Sequence, residues 1–102
     1  MESTGPQILA ARLGRAQELT AAQGLDALLI TPGPDLRYLV GYDAVPLERL
    51  TCLVVPARGN AVLVAPRLEL LAAEASPVGR MGIDLEGWGE TDDPYALVAR
   101  IM

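Results

Sequence analysis

The chain has 102 residues, 51% of them apolar, and a formal net charge of −5 that sets eight arginines and no lysine against thirteen acidic residues. That length bounds it to one domain, with enough apolar material for a core. The scattered bases and the acidic stretch from Glu86 to Asp93 argue against direct nucleic-acid binding, and a single cysteine, Cys52, excludes an intrachain disulfide.

The first element reads as a helix. Thr4-Gly5-Pro6-Gln7 fits a capping box with proline in the first turn, and Ile8, Leu9, Leu13, Ala16 and Leu19 follow at helical spacing. Gly24 suits a left-handed residue past its end, with Leu25 beyond. Asp26 to Thr31 is short, apolar and bounded by turn residues, so it predicts a strand buried on both faces. Asp35 to Val40 predicts a short helix with Pro34 near its start and Gly41 as its stop. A loop from Tyr42 to Leu50 leads to two strands, Thr51–Val55 and Ala61–Ala65, whose five-residue connection suits an antiparallel hairpin. Pro66 opens a helix over Arg67–Ala75, with Leu68, Leu71, Ala72 and Ala75 as its apolar face and Ser76-Pro77 as its end. Met81 to Glu86 alternates apolar and polar and predicts a half-exposed edge strand, followed by a turn-rich loop from Gly87 to Asp92 that carries Trp88. Asp93-Pro94 looks like the cap and first residue of a last helix with Tyr95, Val98 and Ile101 on one side. The alternation implies an α/β domain: a mixed sheet with flanking helices.

Much chemistry is excluded by residues the chain lacks. Without histidine there is no Ser-His or Cys-His nucleophile and no HExxH zinc site; without lysine there is no Schiff base or P-loop lysine. Neither serine, Ser3 or Ser76, lies in GxSxG. Gly87-Trp88-Gly89 follows a strand, but Asp92 stands where a dinucleotide loop needs its third glycine, so it reads as a turn. The acidic run has no EF-hand spacing and reads as a solvated face plus a helix cap. Cys52, inside a strand, reads as a small hydrophobe. No apolar run approaches the ~18 residues of a membrane span. Met1-Glu2-Ser3 does not open a secretory signal, so a cytoplasmic protein is expected.

Five segments in order carry a resemblance: Leu25 to Pro32, Pro34 to Tyr42, Glu48 to Pro56, Ala65 to Glu69, and Trp88 to Tyr95. Together they resemble the N-terminal domain of the creatinase/prolidase family, in details most like Xaa-Pro dipeptidases and aminopeptidase P of an actinobacterial type. The resemblance implies a ribonuclease-H-like mixed α/β fold over residues 1–102, incomplete near its C-terminal end. It implies no catalytic residue and no cofactor in this chain; two divalent metals (manganese, cobalt or zinc) would belong to a separate pita-bread catalytic domain. The implied partners are that catalytic domain and a second subunit, with no nucleic acid and no membrane. The implied role is to help form a dimer and to wall the active site. A stand-alone interaction module of the same fold, or the N-terminal domain of a creatinase-like amidinohydrolase, would look similar. Similarity to creatinase also places an arginine at the position of Arg49, where it would meet a substrate carboxylate, with Glu48 and Tyr42 beside it. The bland alternative for Arg49 is a surface pair with Glu48 or Asp43. Trp88 is expected to be either a packing anchor or an interface residue.

Overall fold

The computed structural model describes residues 5–42, 50–89 and 93–102. Four strands form one mixed sheet in the order β1 (Ala27–Ile30), β2 (Cys52–Pro56), β3 (Val62–Pro66) and β4 (Asp84–Trp88). The first three pair antiparallel, and β4 lies parallel to β3. The helices are α1 (Pro6–Ala22), α2 (Pro34–Val40), α3 (Leu70–Ala75) and α4 (Pro94–Ile101); single 3-10 turns at Arg67–Glu69 and Pro77–Arg80 flank α3.

Local signals account for most element ends. Pro6 is the first residue of α1, and Gly5 rather than Thr4 takes the cap position, without a side-chain hydrogen bond. At the other end Gly24 is left-handed (φ 74°); its N–H donates to Ala21 O while Leu25 N–H donates to Thr20 O, so the helix closes in the expected manner. Gly41 ends α2 at φ 69°, and a Cβ there would stand 3.0 Å from the Pro77 side chain and 3.1 Å from Leu9 Cδ1. The position therefore needs glycine twice over, for its backbone angle and for the close approach. Asp93 caps α4, its Oδ1 accepting from Tyr95 N–H at 3.0 Å and Ala96 N–H at 3.2 Å.

Strand alternation divides the interior into two cores. Leu53, Val55 and Leu63 face α1, α2 and α3 in the larger one, with Leu13, Leu36, Val40 and Tyr42. Cys52, Val54, Val62 and Val64 face the opposite side, where Val98 of α4 covers them. Gln17 of α1 buckles the larger layer together: its Nε2 donates to Pro56 O at 3.0 Å and to Gly59 O at 2.8 Å in the hairpin turn.

Four expectations are corrected. β1 is an edge strand, not a strand covered on both faces; Leu28 and Leu29 are 36% and 45% exposed. α1 buries Leu9 and Leu13 but leaves Ile8 and Leu19 exposed; Thr20 is buried instead, its hydroxyl donating to Ala16 O at 2.7 Å. The segment Arg67–Ala75 starts as a 3-10 turn, which rotates Leu68 and Leu71 to solvent and leaves Ala73 as the buried residue. β4 begins at Asp84 and ends on Trp88, so the tryptophan closes a strand instead of riding in a loop.

Candidate functional site

β1, β3 and β4 run in the same direction, so their carboxyl ends meet on one rim of the sheet. In open α/β sheets that rim is where ligands bind, because the strand-to-helix connections open there. Thr31, Pro66 and Trp88 follow or end these strands, and Leu50 and Thr51 enter β2 at the same rim.

Tyr42 reaches the rim just after the turn that ends α2. Its ring is buried in the larger core, and its hydroxyl donates to Glu69 Oε2 at 3.5 Å. Burial raises the phenol above its ordinary pKa, and the adjacent Glu69 carboxylate adds to this by charge and by hydrogen bond. Trp88 is half-buried against the smaller core. Its Nε1–H donates to the Leu50 carbonyl at 2.9 Å, tying the end of β4 to the entrance of β2 across β3. Gly87 packs closely beside it: a Cβ there would stand 2.5 Å from Leu70 Cδ1, so a larger residue would make the end of the Leu70 side chain move.

Of the residues singled out from sequence, Tyr42 and Trp88 thus stand at one rim, on opposite faces of the sheet. Glu48 and Arg49 lie outside the described residues. Two partners were not read from the sequence: Glu69 and the Leu50 carbonyl. Glu69 had one local signal, an acidic residue in the first turn after a strand that ends on a rim.

Next to the rim an open apolar groove of about 320 Å³ runs between β1, β2 and α4, lined by Leu29, Thr31, Leu50, Cys52, Tyr95 and Val98 among others. The Cys52 thiol is buried and its pKa is pushed up by that burial, which suits a packing role and not a nucleophile. Among the described residues no group of three or more cysteine, aspartate or glutamate side chains stands together to hold a metal. The described residues therefore do not fit the pair of divalent metals that the resemblance assigns to another domain. No described helix is long and apolar enough to cross a membrane.

The sequence model of the Creatinase/Prolidase N-terminal domain matches residues 12–101. The chain belongs to that family. This creatinase/prolidase N-terminal domain is 46% identical over 96 residues to a protein named probable dipeptidase PepE from Mycobacterium bovis, covering 94% of the chain and 26% of that protein. The crystal structure of dipeptidase PepE from Mycobacterium ulcerans superposes with a TM-score of 0.92 at 44% identity, covering 97% of this chain and 27% of that one. The creatinase/prolidase N-terminal domain of an X-Pro dipeptidase from Streptococcus pyogenes shares the fold at a TM-score of 0.78 and 20% identity, over 91% of this chain and 68% of that one. The chain thus spans about a quarter of the length of these curated relatives.

Proposed function

We propose that the chain is the N-terminal domain of a longer Xaa-Pro dipeptidase, a hydrolase whose catalytic domain belongs to the same polypeptide. The observation that carries this reading is the 46% identity to probable dipeptidase PepE over almost the whole chain. The domain itself supplies no catalytic group; it serves in the cytoplasm by walling the active site and by contributing to a dimer. The two divalent metals of the reaction belong to the catalytic domain.

The rim offers the groups such a wall needs. Arg49 is one peptide bond from Leu50, whose carbonyl the Trp88 indole holds in place. A dipeptide substrate carries a free carboxylate beside its scissile bond, and the planar guanidinium of Arg49 can receive it with two parallel hydrogen bonds. In this reading Glu48 and Tyr42 assist Arg49 in receiving the substrate, and Trp88 is the packing anchor, its indole holding the Leu50 carbonyl. Closing that side shortens the substrates that fit and excludes water, so the wall contributes specificity by geometry.

The test uses the longer polypeptide and assays proline released from Xaa-Pro dipeptides. Arg49→Ala should raise KM several-fold on free-acid dipeptides and much less on C-terminally amidated ones. Equal losses on both, or no loss, would remove Arg49 from the site. The chain of 102 residues, supplied with manganese or cobalt, should release no proline; release that survives repurification would overturn the non-catalytic reading.

A further inference from the structure

We draw no further inference here: the strongest candidate, the apolar groove between β1, β2 and α4 beside the outer edge of β1, carries nothing, because nothing in the structure shows what covers it.

Discussion

Replacing Trp88 with phenylalanine isolates the bond that closes the rim. The phenyl ring keeps most of the apolar contact with the smaller core but cannot donate to the Leu50 carbonyl, 2.9 Å away in the native chain. A hydrogen bond of this kind contributes about 0.5–1.5 kcal/mol net, and a buried carbonyl left without a donor costs about 1–3 kcal/mol. Leu50 is only partly buried, so water recovers some of that cost and the low end applies. The expected destabilisation is about 1–2 kcal/mol. At ~4–8 °C per kcal/mol for a domain of this size, Tm should fall by roughly 5–15 °C. Urea unfolding followed by far-UV circular dichroism, with the slope unchanged, measures it. Amide exchange at the entrance of β2 should quicken more than in α1, since the bond anchors that entrance. A variant within about 0.5 kcal/mol of the parent, with even protection, would refute the claim that the indole ties β4 to β2.

Two further outcomes follow from named contacts. Asp93→Ala removes the oxygen that accepts from Tyr95 N–H and Ala96 N–H, and should cost about 0.5–2 kcal/mol by denaturant unfolding, whereas Asp93→Ser should restore most of it. Tyr42 keeps its proton longer in the folded chain than in the unfolded one, so the folded state binds more protons and stability falls as pH rises past the ordinary phenol range. Tyr42→Phe should be near neutral at pH 8, given the long 3.5 Å bond to Glu69, and should lose less stability than the parent when both are unfolded above a pH of about 10; equal losses would show that Tyr42 is not the group responsible.

How much of this could be read beforehand depended on whether the cause was local. The Asp93-Pro94 cap, the left-handed Gly24 and Gly41, and the hairpin between β2 and β3 each follow from a few adjacent residues, and each forms. The exposure of β1 depends on which strand takes the sheet edge, which no residue within Ala27–Ile30 encodes. The outward turn of Leu71 comes from a 3-10 start that shifts the helical phase. Thr20 can be buried because its hydroxyl finds Ala16 O one turn back, a local bond that apolar periodicity ignores. At the rim, Tyr42 was legible as a candidate, but its partner Glu69 is 27 residues away and the pair exists only because α2 and the end of β3 meet. Trp88 was legible as a ring in search of a partner; the Leu50 carbonyl, 38 residues away, was not.

The sheet is one residue thick and packed on both sides, which constrains how this domain can drift. Leu53 and Val54 are joined by a peptide bond, yet they belong to separate cores. A methyl lost at Leu63 can be compensated from Leu53, which faces it across the hairpin. Val62 and Val64, its immediate neighbours in sequence, point the other way and can offer nothing. Compensating changes should therefore be correlated between strands and nearly independent along them. Each face can be repacked on its own, as if two small proteins shared a single spine.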